Sequence, residues 1–447
     1  MGGEWERVSL GKICHFKAGA AFKKEHQGRL KGDYPFIKVS DMNLPGNEFF
    51  IRKANNWIDE ELVQKTKAPI HPAGAIVFAK IGIALTYNRR RRLTQDTVID
   101  NNMMSAVPNP EIIDPGFLYF LFCQIDFNNI AEGSALPYLK ASAIKNIKVD
   151  LPPIYEQRVI AYILGSLNDK IELNRQMNET LEAMARTIFK SWFVDFDPVR
   201  AKAEGRDTGL PEEIAALFPD SFEDSELGKI PRGWEVKVLG EIATTALGGQ
   251  WGKEKPGKGL VPAICLRGCD MEDLRNEGYA PKAPVRFMKE SAIEKRLPRE
   301  NDLLIAASGA GPCGRPLWCS PLIKQNYKAP VIYSNFVKRF STPGPEYAVY
   351  LDRLFYEKFL DKSIQDFITG TSVPNLDSKG LMAGFQIVFP PKKILKVFYT
   401  QNQTIFEKLY SVENFVLSKL RDTLLPKLIS GELRVPDIDK FFEEAGL

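Results

Sequence analysis

Much of this chain is written twice. Trp5-Glu6-x-x-x-Leu10-Gly11-x-Ile13 returns as Trp234-Glu235-x-x-x-Leu239-Gly240-x-Ile242, an offset of 229. Gly133-Ser134-Ala135-Leu136-Pro137-Tyr138-Leu139 returns as Gly370-Thr371-Ser372-Val373-Pro374-Asn375-Leu376, an offset of 237, and Pro152-Pro153 returns as Pro390-Pro391. The order is kept and the offset drifts, so two long units descend from one, with loop insertions in the second. Two copies are too few for a solenoid, which stacks several short repeats. They suit a ligand that itself has two similar halves, such as a duplex read at two places.

At 447 residues the chain has room for two to four domains, and 44% hydrophobic with 26% charged residues is ordinary for a globular protein. A net charge of +4 permits a polyanionic partner but supplies no basic coat, so any such site must be local. The six cysteines are scattered. Cys265, Cys269, Cys313 and Cys319 have spacings too loose for a zinc site, and reduced thiols are the simpler reading. MGGEWERVSL has no apolar core of a secretory signal, and no run reaches the length of a membrane span. The expected compartment is the cytoplasm, with no membrane partner.

Residues 1–153 are expected to be globular. Pro35–Ser40 and Ala75–Ala79 read as strands, and Asp114–Phe122 as a turn followed by a helix or a buried run. The mixture predicts an α+β domain with a curved or split sheet. Residues 154–197 change texture. Ile160, Ile163, Leu164, Leu167, Ile171, Met177, Leu181, Met184, Ile188 and Trp192 form a helical stripe, with Asn174 on it, for a helix on the order of 60 Å long. Residues 198–233 are a Pro, Gly and acid-rich linker with a short helix near 212–218, and 234–391 are a second globular domain. Residues 392–431 repeat the helical stripe; Pro426 should kink or end that helix and Gly431 stop it, before a tail at 432–447. A long helix must bury its stripe. The simplest partner is the duplicate helix, packed antiparallel as a coiled coil between two pseudo-twofold-related domains. The alternative is that each helix packs on its own domain.

No catalytic set assembles. A phosphate-binding loop is absent, and the three histidines share no metal-ligand spacing. Pro436-Asp437-x-Asp439-Lys440 only faintly matches a nuclease motif. Gly309–Gly314 fits G-x-G-x-x-G, but Arg315-Pro316 follows where a helix should begin, so it reads as a loop for close backbone approach. The two Pro-Pro pairs lack the polar and aromatic residues with which an adenine methyltransferase holds an extruded base.

Basic residues interleave with aromatics in both domains. The run Arg89-Arg90-Arg91-Arg92 is the strongest signal, because four adjacent like charges favour an opposing polyanion. The candidate DNA contacts are Lys80, Tyr87, Arg89, Arg90, Arg91, Arg92, Ser134, Tyr138 and Lys140 in the first copy. In the second they are Arg267, Ser308, Arg315, Lys328, Thr371, Ser372 and Asn375. The loops differ between copies, which predicts two different half-sites.

The segments Phe189-Lys190-Ser191-Trp192-Phe193-Val194-Asp195-Phe196-Asp197-Pro198, LRDTLLPKLISGEL at 420–433 and EEIAALFPDSFEDSELGKIPRGW at 212–234 resemble the specificity subunit of type I restriction–modification systems, as does the Trp-Glu…Leu-Gly start of each unit. The resemblance covers nearly the whole chain. It implies two target recognition domains, each reading half of a bipartite asymmetric DNA site, with the helices as a ruler. It implies docking of two methyltransferase subunits, which bind S-adenosylmethionine and methylate adenine N6, and of translocating endonuclease subunits. On this reading the chain itself is non-catalytic and needs no cofactor. Phe189, Trp192, Phe193, Leu425 and Leu428 are the candidate partner contacts. Two other readings stay open: a stand-alone DNA-modifying or DNA-cleaving enzyme, and a coiled-coil adaptor that binds only proteins.

Overall fold

The computed structural model describes residues 5–133, 135–245, 248–370 and 372–434. The chain divides into two compact units. The first joins residues up to Asn174 with those from Val416 onward, and the second runs from Arg175 to Phe415.

In the first unit, Glu6–Ser9 pairs antiparallel with Lys148–Leu151, so the globular part begins and ends on one ribbon. Between them lies a split sheet. Five strands run in the order Cys14–Ala18, Met103–Pro108, Ile76–Ala79, Arg91–Leu93, Phe50–Ile51, and three more in the order Trp57–Ile58, Tyr34–Ile37, Val98–Ile99. Asp114 caps the helix Pro115–Gln124, its Oδ1 accepting from the Gly116 and Phe117 amides at 2.8 and 3.0 Å, with Pro115 in the first turn. The segment read as helix or buried run is both: Phe117 through Phe122 are all buried.

The second unit repeats this plan. Glu235–Val238 pairs with Gln386–Phe389. Thr244–Thr245, Val337–Ser341, Asp302–Ala306 and Pro316–Trp318 form one sheet, and Val285–Met288, Val261–Leu266 and Val331–Tyr333 another. The helix Pro345–Leu360 takes the place of Pro115–Gln124.

Ile154–Phe193 is one unbroken helix of 40 residues. The continuous second helix expected over 392–431 is corrected to two helices of 18 residues, Lys392–Leu409 and Glu413–Ser430. The break has visible causes. Asn326 Nδ2 donates to the Tyr410 carbonyl (3.3 Å), and the Glu413 amide donates to Ser411 Oγ (3.3 Å), which starts the next helix. The apolar stripe resumes across the gap, so periodicity alone did not register it. Pro426, expected to kink or end the helix, lies inside it; the helix reaches Ser430, and Gly431 follows with φ +75°.

Both packings that the sequence left open occur. In the first unit Ile160 and Leu164 share a core with Leu424 and Leu428 of the last helix and with Phe117–Phe122 of the domain. Arg434 donates to Glu156 (2.8 Å) and Arg421 to Asn168 (3.0 Å), so the helical partner runs antiparallel. In the second unit Phe189 meets Phe398 (centroids 6.0 Å apart) and the domain's Tyr350 (5.7 Å). Of the expected stripe, Met177 and Met184 are exposed instead.

His71 is fully buried, with Nδ1 2.6 Å from Ser105 Oγ. Burial, aided by Lys17, lowers its pKa to about 4. Above pH 6.5 the folded and unfolded imidazoles are both neutral; between 6.5 and 4 only the unfolded chain takes the proton, so stability falls as pH falls. The His71 contribution should drop by about 2 kcal/mol between pH 7 and pH 5. Urea midpoints of wild type and His71→Gln at both pH values check this, since the variant should lose that part of the slope.

Candidate nucleic-acid interface

The two units build the same three-loop cluster. In the first, the Lys80 amide donates to the Asn102 carbonyl (2.9 Å), the Leu139 amide to Lys80 (2.8 Å) and the Gly82 amide to Pro137 (2.7 Å). This ties 80–82, the turn 101–102 and the loop 133–139 together, with Ile81 bridged to Tyr138. In the second, the Ala307 amide donates to Phe336 (2.7 Å), Leu376 to Ala307 (2.9 Å) and Gly309 to Pro374 (3.3 Å), with Ser308 bridged to Asn375. Gly133 and Gly370 both have φ +85°, and a Cβ on either would lie 2.8 or 2.7 Å from the carbonyl oxygen of Leu136 or Val373. Below each cluster a further glycine lets two backbones touch. A Cβ at Gly19 would stand 2.1 Å from the Asp100 oxygen, and one at Gly249 2.0 Å from that of Ser334. Sequence reasoning missed Gly19 and Gly249, although they stand at nearly the offset of the Trp-Glu motif.

The backbone is shared and most side chains are not. Equivalent positions carry Lys80 and Ala307, Ile81 and Ser308, Asn102 and Phe336, Tyr138 and Asn375. Tyr138, Ser372 and Asn375 are exposed, while Lys80 and Ser308 are half-buried. Lys140 is exposed beside Tyr138, pairing with Glu132 (2.6 Å), to which the Tyr138 hydroxyl also donates (2.9 Å). Tyr87 is exposed, with the Arg89 guanidinium 4.6 Å over its ring and bonded to Asn43 (2.6 Å). Lys328 is exposed on a different loop of the second unit. Ser134 and Thr371, and the motif at 436–440, lie outside the described residues.

The four-arginine run is not one patch, because an extended backbone sends successive side chains to different faces. Arg90 is buried 3.8 Å over Phe127 and donates to the Ile125 carbonyl; desolvation lowers its pKa to about 10. Arg91 donates to the Met42 and Arg90 carbonyls. Arg92 lies over Phe50 (4.7 Å), lining a cleft of about 790 Å³ with Asp114, Arg158, Tyr162 and Asp169. Arg90 is therefore corrected from a surface contact to an internal cation, while Arg91 and Arg92 are half-buried and engaged within their own unit. Two further candidates, in the second unit, are half-buried and engaged in ion pairs. Arg267 is held by both carboxylate oxygens of Asp270 (2.9 and 2.7 Å), and Arg315 pairs with Glu272 (3.0 Å) beneath the Phe359 ring. The glycine-rich stretch at 309–314 turns between two strands, with no helix after it.

The partner-contact candidates also move. Phe189, Trp192, Phe193 and Leu428 are buried within their own units, and Leu425 is half-buried against the first unit's core. They hold helix to domain, and their aromatic character is that of a core.

Residues 2–183 match the family described as type I restriction modification DNA specificity domain. The type I restriction enzyme MjaIX specificity subunit of Methanocaldococcus jannaschii is 28% identical, over 97% of this chain and 95% of that protein. The HindI specificity subunit of Haemophilus influenzae is 27% identical, over 96% of this chain and 100% of that protein. Residues 2–183 thus match the specificity-domain family, and nearly the whole chain is similar to these two type I specificity subunits. The S subunit from M. genitalium, 15% identical, shares the fold with a TM-score of 0.58, covering 95% of this chain and 96% of its own. Among the described residues, no helix is long and apolar enough to cross a membrane.

Truncating a core aromatic should act on stability. Phe189→Ala is expected to destabilise the second unit by about 3–5 kcal/mol, read from denaturant midpoints. An unchanged midpoint would return Phe189 to the surface.

Proposed function

We propose that this chain is a type I specificity subunit that reads a bipartite, asymmetric DNA site, one half with each unit, and performs no chemistry of its own. The three-loop cluster carries this reading: one backbone built twice, with different side chains at equivalent positions. DNA presents the same backbone geometry at any sequence, so a repeated protein scaffold can dock twice while changed side chains select different bases. Asn375 can bond the N6 and N7 edge of adenine with both amide atoms, and Tyr138 at the equivalent place lacks such a pair. The half-sites therefore differ. Lys80, Arg89, Lys140 and Lys328 contact phosphates, and Tyr87, Ser308 and Ser372 add further contacts.

Methylation and cleavage belong to partners: two methyltransferase subunits using S-adenosylmethionine on adenine N6, and translocating endonuclease subunits, in the cytoplasm. Docking falls to long-helix side chains left exposed, Tyr155, Tyr162 and Leu173, rather than to the buried aromatics. The helices set the unread gap between half-sites.

Together with its methyltransferase partner, the chain should bind one bipartite sequence saturably, and equal affinity for all duplexes would overturn the reading. Arg89→Ala should weaken binding and lower the salt slope by about one, whereas Arg90→Ala should lower stability.

One helical turn inserted after Ser166 adds about 6 Å. The preferred gap between half-sites should change, as read by methylation of duplexes with graded spacers; an unchanged gap would remove the ruler role.

A further inference from the structure

We propose that Leu136 and Val373 are a matched pair of apolar contacts to DNA bases, one for each half-site. The inference rests on the reading above and adds to it a kind of contact that neither charge nor hydrogen bonding supplies. A single exposed aliphatic residue is unremarkable on a protein surface. This pair is different: the two side chains occupy the same position in two loops of the same construction, and both stand out in solvent, 58% and 59% exposed. Three residues further on, Leu139 and Leu376 are both buried. Each loop therefore directs one aliphatic side chain inward to anchor itself and one outward. Around them other positions have changed chemical class, Lys80 to Ala307, Ile81 to Ser308, Tyr138 to Asn375, yet the outward position has stayed aliphatic.

The backbone makes the outward side chain a fixed one. Gly133 and Gly370 turn the chain at positive φ, the carbonyl of Leu136 or Val373 closes back toward that glycine, and a proline follows. The hydrogen bonds from the Gly82 and Gly309 amides to Pro137 and Pro374 then hold the far limb. Leu136 Cδ1 lies 3.7 Å from where a Cβ on Gly82 would stand, so a glycine lies beneath the tip. Ile83 follows this glycine and is itself exposed; in the second unit the exposed Phe336 lies on the neighbouring turn of the same cluster.

The neighbours favour nucleic acid over protein as the occupant. Lys80 and Tyr138 belong to the same loop cluster as Leu136, where Lys140 is paired with Glu132, and Ser308 and Asn375 belong to that of Val373, which sets a small apolar tip in polar surroundings that include hydrogen-bond donors. DNA offers a matching surface at the thymine methyl group and at the faces of partly unstacked base steps, where aliphatic side chains insert. The pair then supplies contact common to both half-sites, beside Tyr138 and Asn375, which discriminate.

The test uses the full chain with its methyltransferase partner on its own bipartite duplex. Leu136→Ser and Val373→Ser should each weaken binding about tenfold, the worth of roughly one buried aliphatic contact, and the double variant about a hundredfold if the half-sites act independently. The dependence of affinity on salt should keep its slope, because no phosphate contact is removed. Assembly with the methyltransferase and the melting temperature should stay unchanged, and Leu136→Met should restore most of the affinity. Wild type that binds no duplex specifically would overturn the functional reading itself. Wild type that binds specifically, with serine variants equal to it, would overturn only this inference. It would also be overturned by variants that lose assembly but keep DNA affinity, which would mark a protein-docking tip, or by a reduced salt slope.

Discussion

An amphipathic helix of forty residues has no stable existence until its apolar face is covered, and this chain covers it with two different segments. The first part of Ile154–Phe193 is buried against Glu413–Ser430 and the helix Pro115–Gln124, the later part against Lys392–Leu409 and the helix Pro345–Leu360. Residues near the C-terminus are thereby drawn into the first unit. The break at Tyr410–Val412 follows from the same demand. Each short helix answers to its own core, and the loop carrying Asn326 takes the carbonyl that a continuous helix would have used.

Such burial gives each domain a fixed orientation on its helix. In the second unit a buried ionic network reinforces it. Arg353 donates to Glu182 of the long helix (2.6 Å) and lies 3.6 Å from Asp352, which accepts from Arg275 (2.5 Å) and the Trp318 amide (2.9 Å). Desolvation opposes the charges on Arg275 and Arg353, and the nearby carboxylates outweigh it, so both pKa values rise. Buried ion pairs add little net stability against an apolar core, but breaking one strands a charge. The network therefore selects one seating of domain on helix, which a protein reading a surface at a set angle needs.

Legibility in the sequence followed the range of each interaction. The repeat and the first helix rest on local patterns, and a repeated pattern can be recognised with no knowledge of contacts, whereas the ribbons that pair Glu6–Ser9 with Lys148–Leu151 and Glu235–Val238 with Gln386–Phe389 are long-range and were not read. The three-loop cluster was half legible: the Gly…Pro loops stood out as a motif, but their meeting with Lys80–Gly82 and Ser308–Gly309 is a long-range event. Gly19 and Gly249 carry only the repeat offset as a signal, since nothing local demands a glycine there. The arginines failed differently. A run of like charge in one dimension says nothing about which side of a strand each guanidinium takes, and Arg90 and Arg92 lie over the rings of Phe127 and Phe50 of their own unit.

That use of arginine bears on how the protein can hold DNA. Arg90, Arg275, Arg315, Arg339 and Arg353 are tied to carbonyls, carboxylates or rings inside their own units. These cations are not available to phosphates, and a net charge of only +4 supplies no general basic coat. Electrostatic attraction that is indifferent to sequence is then weak, and more of the selectivity must come from shape, amide donors and apolar contact at the loop tips.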